Sequence, residues 1–314
     1  MPVLLISYNR PEKTRRLIEA LRVSQPTKIL FAVDGPKPNN GLDLALVQQT
    51  RDLVSYIDWN ADVETIFPEV NLGLKNAVQA SVTHAVQRFG RTIVIEDDCV
   101  PGPQLVPYLT AMLSRFERED SIMHVSGYNV VPRSSIETTS VNRLSRYPES
   151  FAWATWERAW SHYDPALSWG TESNISQISK VTGNHISALR WKINFLDAQS
   201  DRVSSWAYRW ISSIWSRGGW TIAPNRNLAS YRGFDSGTHT FRTPRWKDLP
   251  IELLSFDSEN GIPVFDKSAE SWTSRVVFRE SVWGLVDGTA STIALTARQH
   301  FRRRRTSASR QALS

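Results

Sequence analysis

Short apolar strands alternate with amphipathic helices through the first hundred residues of the chain. Each apolar run ends in a polar turn, and the segment after the turn spaces its apolar residues three and four positions apart, as a helix with one buried face requires. This alternation predicts an α/β fold, in which a mostly parallel sheet carries helices on both faces. The pattern predicts strands at 3–6, 29–33, 63–66 and 92–95, and helices at 14–22, 42–57 and 74–89.

Polar side chains stand where three of these strands end. Asn9 and Arg10 follow the first strand, Asp34 follows the second, and Glu96-Asp97-Asp98 follow the fourth. In open α/β sheets, ligands bind at the carboxyl ends of the strands. We therefore expect these side chains to line one ligand site.

The acidic triplet Glu96-Asp97-Asp98 is the most informative of these groups. Three like charges at the end of a buried strand repel one another and raise their own pKa values, and a divalent cation removes that cost. Oxygen ligands suit Mg²⁺ or Mn²⁺, and a diphosphate would supply the remaining ligands. The alternative is that the acids only begin a solvated turn. Their position after an apolar strand favours the metal–diphosphate interpretation.

Other candidate residues lie in turns and loops. Arg10 and Asp34 could hold a nucleoside between them, although Asp34-Gly35 is also a strong turn signal. Lys75 follows a glycine-containing turn at a helix start, which is a plausible anion site. His239 lies in a polar loop, where an imidazole could neutralise charge on a diphosphate leaving group.

The second half of the chain is rich in tryptophan. Ten of the 13 tryptophans lie between Trp153 and Trp246. Trp153, Trp156 and Trp160 have helical spacing, which favours core packing, whereas Trp153 and Trp206 could instead form a platform for an acceptor sugar. We predict a donor-binding half at 1–125, an acceptor-side half of the same domain at 126–297, and a tail at 298–314.

Composition and charge exclude several classes of protein. The only cysteine is Cys99, which rules out an intramolecular disulfide and a cysteine-rich metal site. The formal net charge is +6, and residues 298–314 contain six arginines and no acid, so the rest of the chain is formally neutral. A neutral body argues against nucleic acid as a partner. We expect a cytoplasmic protein, and Arg302 to Arg305 leave open a peripheral contact with the inner face of a membrane.

Several motifs in the same order resemble the glycosyltransferases of the GT-A fold. The chain is similar to the N-acetylglucosaminyltransferase I family (glycosyltransferase family 13) and to bacterial family-2-like transferases over most of residues 2–242. The strongest stretch is residues 93–103, Ile-Val-Ile-Glu-Asp-Asp-Cys-Val-Pro-Gly-Pro. Further matches are residues 2–10, the strand into Asp34, and residues 125–129, 151–156 and 224–239.

The resemblance implies a role for each matching residue. Asp98 would bind Mn²⁺ or Mg²⁺ directly, and Glu96 and Asp97 would contact the donor. Arg10 and Asp34 would hold the nucleobase, and Lys75 falls near a family histidine that meets the donor. The implied reaction is an inverting transfer of sugar from a nucleoside-diphosphate donor, with UDP-sugars favoured, to a glycan or lipid-linked acceptor.

The sequence departs from the family where the catalytic base is expected. The family carries an Asp-Asp-Trp or Asp-Ser-Trp segment, whereas this chain has Ser204-Ser205-Trp206. The base could be Asp201 or Asp235, with Asp201 preferred because it lies just before the helix. The alternative is a non-catalytic relative that binds a nucleotide-sugar or carbohydrate. A sugar-phosphate nucleotidyltransferase is disfavoured, because the amino terminus lacks a glycine-rich phosphate loop.

Overall fold

The computed structural model describes residues 1–233, 249–256 and 263–282. Asp235, His239 and Arg302 to Arg305 lie outside these residues. A nine-stranded sheet forms the centre of the fold, and a two-stranded ladder stands beside it. The strands are β1 Pro2–Ser7, β2 Lys28–Val33, β3 Asp62–Ile66, β4 Arg91–Glu96, β5 Cys99–Pro101, β6 Ile122–Ser126, β7 Asn142–Ser145, β8 Ala152–Trp156, β9 Trp220–Pro224, β10 Ala229–Tyr231 and β11 Val264–Phe265.

Helices flank this sheet. Every residue of β1 is buried, which requires cover on both faces of the sheet. Among the described residues, no helix has the length and apolar character to cross a bilayer. The helices are α1 Pro11–Leu21, α2 Gly41–Asp52, α3 Leu74–Phe89, α4 Leu105–Arg115, α5 Glu157–Trp160, α6 Ser168–Glu172, α7 Ile175–Thr182, α8 His185–Gln199, α9 Trp206–Ser216 and α10 Lys267–Trp272.

The strand order of the large sheet is β11-β7-β9-β6-β8-β4-β1-β2-β3. The β3-β2-β1-β4 part is parallel and has the order of a Rossmann-type half. β8 is antiparallel to both of its neighbours, and β6 and β9 run in the same direction as β4. The predicted α/β fold, a mostly parallel Rossmann-like sheet with helices on both faces, is confirmed, and its assignment to the GT-A type stays a prediction. The predicted division at residue 125 falls inside β6 and stays a prediction.

The core packing predicted for Trp153, Trp156 and Trp160 is confirmed, whereas their predicted helical arrangement was wrong for the first two. Trp153 and Trp156 lie on β8, not on a helix, and only Trp160 lies in α5. A spacing of three does not distinguish a helix from a strand followed by a helical turn, and aromatic residues fit well between neighbouring strands. The helix predicted over 42–57 ends at Asp52 and continues as a 3-10 helix over Leu53–Tyr56.

An aromatic cluster fills the core behind β6 and β8. The Trp153 ring stacks on the His124 ring at 5.1 Å and on the Trp206 ring at 5.3 Å between centroids. Trp210 Nε1 donates to His124 Nδ1 at 3.1 Å, so Nε2 carries the proton and donates to the Glu149 carbonyl at 3.2 Å. His124 is therefore held as a neutral imidazole, and burial lowers its pKa to about 3.

Glu149 is buried beside this cluster, and its Oε1 has no hydrogen-bond partner among the described residues. Burial raises its pKa to about 8, while Arg143 lowers it in part. The folded chain therefore keeps a proton that the unfolded chain loses near its ordinary pKa of 4.5. This contribution to stability is present at low pH and is lost as the pH rises through about 8. His124 acts in the opposite direction, because its contribution is lost as the pH falls from about 6.5 towards 3.

We expect Glu149→Gln to reduce the loss of stability on the alkaline side. Between pH 5 and pH 8, the decrease in unfolding free energy should be smaller in the variant than in the wild type by about 3 kcal/mol. Urea denaturation at several pH values measures this difference. Glu69→Gln changes an exposed glutamate and serves as the control. Parallel pH curves for wild type and Glu149→Gln would contradict this account.

Buried acidic side chains of the last described segment, residues 263–282, form hydrogen bonds with the core of the domain. Asp266 accepts from the backbone N–H groups of Glu137 and Thr138, both at 2.8 Å. Glu280 accepts from Trp191 Nε1 at 2.6 Å and from the Tyr147 hydroxyl at 2.7 Å. Because these bonds reach back to residues 137–191, this segment is part of the folded domain.

Candidate functional site

The parallel strands β2, β1 and β4 bring their polar ends to one edge of the sheet. The backbone hydrogen bonds between these strands continue one residue beyond the ends of β2 and β4. The Asp34 N–H donates to the Ser7 carbonyl at 3.1 Å, and the Asp97 N–H donates to the Ile6 carbonyl at 3.0 Å. Asp34 and Asp97 therefore flank the end of β1, as predicted. We call this edge, with Arg10, Asp34 and Glu96-Asp97-Asp98, the acidic edge.

Arg10 lies against the acidic triplet. Its Nη1 is 3.3 Å from Asp97 Oδ1 and 3.8 Å from Asp98 Oδ2. The Asp97 and Asp98 side chains are only 9% and 14% exposed, whereas Arg10 is 35% exposed. Lys13 also lowers the pKa values of both aspartates, although less than Arg10 does. The cations that balance the triplet thus come from the start of α1.

Arg10 and Lys13 compensate only part of the negative charge of the acidic triplet. Burial, followed by the charges of Asp98 and Asp97, raises the pKa of Glu96 well above its ordinary value. Burial raises the pKa of Asp97 to about 6 in spite of Arg10, and it also raises the pKa of Asp98. The positive charges of Arg10 and Lys13 therefore do not fully compensate the negative charges of the three ionised carboxylates. A further cation there would be stabilised, since it favours the charged forms.

The residues fit a divalent cation that takes few protein ligands. Asp98 and Asp97 offer carboxylate oxygens, which Mg²⁺ and Mn²⁺ prefer. Within the part of the chain that the structure describes, no group of three or more His, Cys, Asp or Glu side chains is arranged to hold a metal ion. A metal at Asp98 would thus need oxygens from water and from a bound diphosphate, as Mg²⁺ commonly does at nucleotide sites.

Tyr231 is a member of the site that the sequence analysis missed. Its hydroxyl is hydrogen-bonded to the Asp98 side chain, and this bond lowers the pKa of Asp98. β10, which carries Tyr231, pairs with β5 directly after the triplet, and the Arg232 N–H donates to the Asp98 carbonyl at 2.7 Å. Lys13 Nζ in turn donates to the Arg232 carbonyl at 3.0 Å. Asp98 is thus held through both its side chain and its backbone.

We expect Tyr231→Phe to weaken Mn²⁺ binding at Asp98 by about tenfold to a hundredfold. The variant keeps the ring, which packs on Phe151 at 4.2 Å between centroids, and removes only the hydroxyl that orients the carboxylate. Titration calorimetry with Mn²⁺ and the nucleotide measures the affinity. Tyr56→Phe, at an exposed tyrosine, is the control. Equal affinities of wild type and Tyr231→Phe would show that the hydroxyl does not position Asp98.

Asp34 anchors the loop that leads into α3. Its carboxylate accepts from the N–H groups of Gly35 at 2.8 Å, Leu72 at 2.9 Å and Gly73 at 3.0 Å, and from Asn71 Nδ2 at 2.9 Å. Gly73 has a φ of +76°, which favours glycine there. Four donors occupy this carboxylate, so a contact with a nucleobase would have to replace one of them. That donor-binding role stays a prediction.

A cavity of about 260 Å³ opens between this loop and the ends of the strands. Its wall is mostly apolar, and Ser7 and Asp34 add polar atoms. The cavity lies beside the acidic edge, because β1 and β2 contribute to both. An apolar pocket with a few polar groups is the usual form of a small-molecule site, and a volume below roughly 300–1,000 Å³ suits one unit of a larger ligand.

Asp201 and Lys75 face each other across the two halves of the chain. Lys75 Nζ is 2.9 Å from Asp201 Oδ1, and Arg209 Nη2 is 3.7 Å from the same oxygen. The hydrogen bond from Lys75 lowers the pKa of Asp201, which makes this carboxylate a weak base in the donor-free structure. Asp201 has a φ of +54°, a conformation unusual for a residue other than glycine. Both proposed roles stay predictions.

Ser205 has a structural role at the start of α9. Ser205 Oγ accepts from the Tyr208 N–H at 3.4 Å, so Ser205 caps the helix. Trp206 follows it and is hydrogen-bonded to Glu96, which lowers the pKa of Glu96. Trp206, the first residue of α9, thus contacts the acidic edge.

The two tryptophans predicted to contact the acceptor are buried. Trp153 is 0% exposed and Trp206 is 4% exposed. A sugar could not stack on Trp153 without displacing the rings of His124 and Trp206 that cover it. Trp206 touches the acidic edge through Glu96, and the acceptor-binding role of both residues stays a prediction.

No protein-family model matches the chain, and no curated protein matches it. Among solved structures, the chain is similar to mannose-1-phosphate geranyltransferase from Thermus thermophilus, with 11% identity over 71% of this chain and 73% of that chain and a TM-score of 0.32. It is also similar to the apo form of mouse xyloside xylosyltransferase 1, with 9% identity over 68% of this chain and 81% of that chain and a TM-score of 0.33. Both scores are low, so function has to be argued from the residues of this chain.

Proposed function

We propose that this chain is a metal-dependent glycosyltransferase that moves a sugar from a nucleoside-diphosphate donor to a glycan or lipid-linked acceptor. The observation that carries the proposal is the triplet Glu96-Asp97-Asp98, whose negative charge is incompletely compensated, beside a cavity of about 260 Å³. A nucleoside fits an apolar pocket with a few polar groups, and its diphosphate would extend towards the carboxylates. A UDP-sugar is the favoured donor through the family resemblance.

Each residue of the acidic edge would have a separate role in donor binding. Asp98 would hold Mn²⁺ or Mg²⁺, which supplies electrostatic stabilisation of the departing diphosphate. Tyr231 would orient Asp98, with which it shares a hydrogen bond, and Asp97 and Glu96 would accept hydrogen bonds from donor hydroxyl groups. Arg10 is the exposed cation at this edge and can turn from Asp97 towards a phosphate oxygen. Asp34 keeps the loop over the nucleoside cavity in place.

Asp201 is the proposed base for the acceptor hydroxyl, in a displacement that inverts the sugar. Its ion pair with Lys75 suggests how donor binding prepares it. When Lys75 turns to the donor diphosphate, Asp201 loses the cation that lowers its pKa and becomes a better proton acceptor. Asp235, the other candidate, lies outside the described residues.

A second candidate function is supported by the same region. Ser204 and Ser205 stand where the family carries its acid, and Asp201 is already paired with Lys75. A chain with this site could bind a nucleotide-sugar without transferring the sugar. Acceptor-dependent release of the nucleoside diphosphate separates the two functions. Release that requires both acceptor and Mn²⁺ supports the transferase, whereas donor binding without release under any acceptor supports the binding protein.

A further inference from the structure

A second cavity lies on the same edge of the sheet as the acidic triplet, several strands away. Its volume is about 220 Å³. β9 runs in the same direction as β4, so the end of β9 and the end of β4 lie at one edge. Asn225 and Arg226, directly after β9, and Ser140, shortly before β7, line the cavity. We call it the β9 pocket.

The β9 pocket has a positive wall. Arg133 and Arg226 line it, together with the polar side chains of Thr139, Ser140 and Asn225, and none of the described residues that line it is an Asp or Glu. Arg226 Nη1 is 3.4 Å from Glu252 Oε2, a partly exposed pair of the kind that contributes little stability. Among the described residues, Arg133 Nη1 donates to two backbone carbonyls, at 3.5 Å and 3.4 Å. Both guanidinium groups thus keep donors for a ligand.

A third arginine lies beneath this wall. Arg143 is buried, and its guanidinium donates to the Pro224 carbonyl at 2.7 Å, to Asn225 Oδ1 at 2.8 Å and to Asn129 Oδ1 at 2.9 Å. All three acceptors are neutral, and the charges of Glu270, Glu149 and Asp266 also act on the Arg143 guanidinium. The positive wall of the β9 pocket therefore consists of Arg133 and Arg226, and Arg143 holds Asn225 in place beneath it.

The β9 pocket and the acidic edge are close enough to share one ligand. Three strand spacings separate β4 from β9, which is roughly 14 Å at about 4.8 Å per spacing. The segment from Asn225 to Tyr231 runs between the two sites, from the pocket wall to the hydroxyl that holds Asp98. A chain of two or three sugar units can span this distance.

We propose that the β9 pocket binds an oxyanion, a phosphate or carboxylate group, carried by the acceptor. Forked guanidinium groups recognise these planar or tetrahedral anions with two parallel hydrogen bonds. The volume is below the roughly 300–1,000 Å³ of sites that enclose a whole drug-sized ligand, so the pocket takes one charged unit of a longer molecule. That the anion belongs to the acceptor rests on the proposed function, whereas the anion site itself does not.

The test uses the double variant Arg133→Gln/Arg226→Gln and three simple probes. Titration calorimetry measures the binding of inorganic phosphate, glucuronate and, as the neutral sugar, glucose to the full chain. We expect the wild type to bind at least one of the two anions and not glucose, and the double variant to bind that anion about tenfold more weakly or worse. Preference for phosphate or for glucuronate identifies which oxyanion the acceptor carries.

Two controls keep the result specific. Arg88→Gln removes an exposed arginine of α3 that pairs with Glu64, and it should bind the anion as the wild type does. Binding of a UDP-sugar with Mn²⁺, measured on the same variants, should be unchanged, because Arg133 and Arg226 do not line the donor cavity. No anion binding by the wild type, or equal binding by the double variant, overturns the β9 pocket. Loss of the donor site alone would leave anion binding intact and would count against the proposed function instead.

Discussion

We expect Asp98→Asn to weaken metal-dependent binding of the donor by about a hundredfold or more, while the chain stays folded. Asparagine has the same shape and can still accept a hydrogen bond from Tyr231, but it lacks the charge that binds a divalent cation. Removal of a carboxylate ligand should exceed the roughly tenfold to hundredfold effect of losing an outer hydrogen-bond partner. Calorimetric titration of a UDP-sugar in the presence of Mn²⁺ measures this change.

The same substitution at the opposite edge of the sheet is the matched control for Asp98→Asn. Asp62 begins β3 and forms an exposed ion pair with Lys28 at 3.0 Å. Asp62→Asn should therefore bind donor and metal as the wild type does. If Asp98→Asn bound both with wild-type affinity, Asp98 would not be the metal ligand.

The second large effect concerns Asp34. We expect Asp34→Ala to lower the unfolding free energy by about 3–5 kcal/mol, because it leaves several inward-facing donors without their charged acceptor. Three of them are the backbone N–H groups of Gly35, Leu72 and Gly73. Donor binding should be lost as well, since the loop forms a wall of the cavity. Urea denaturation gives the stability, and donor titration gives the affinity.

A second variant separates the two roles considered for Asp34. Asp34→Asn keeps an oxygen that can accept from the Gly35 and Leu72 N–H groups but places an amide against Gly73 N–H, so its stability should fall between those of wild type and Asp34→Ala. Asp58→Ala, at an exposed aspartate paired with Arg22, should cost little. Unchanged stability in Asp34→Ala would mean that Asp34 does not anchor the loop and would leave donor contact as its role.

The sequence was sufficient for the elements whose signals are local. The helix predicted at 74–89 is α3, Leu74–Phe89, because apolar periodicity and Gly90 define it. The strand ends predicted the acidic edge, since parallel strands bring their carboxyl ends together. The helical arrangement predicted for Trp153 and Trp156 was wrong, because a spacing of three residues does not exclude a strand.

The remaining features depend on contacts between distant parts of the chain. Tyr231 reaches Asp98 only because β10 pairs with β5, and nothing near Tyr231 in the sequence indicates that pairing. The Lys75–Asp201 ion pair joins residues 126 positions apart. The Asp34 carboxylate likewise accepts most of its hydrogen bonds from residues 71–73, which are distant in sequence. Residue types predicted the chemistry of the site, whereas the fold determined which groups are already engaged.

The most direct test of the central claim is a thermal-shift panel of UDP-, GDP-, dTDP- and CMP-sugars, each with and without Mn²⁺. A ligand that binds only the folded chain raises its stability, by about 2.7 kcal/mol at a hundredfold excess over the dissociation constant. We predict a rise in Tm that needs both one nucleotide class and Mn²⁺, and that disappears in Asp98→Asn. No rise with any pair, or a rise that does not depend on Mn²⁺ and Asp98, would contradict metal-dependent donor binding at the acidic edge.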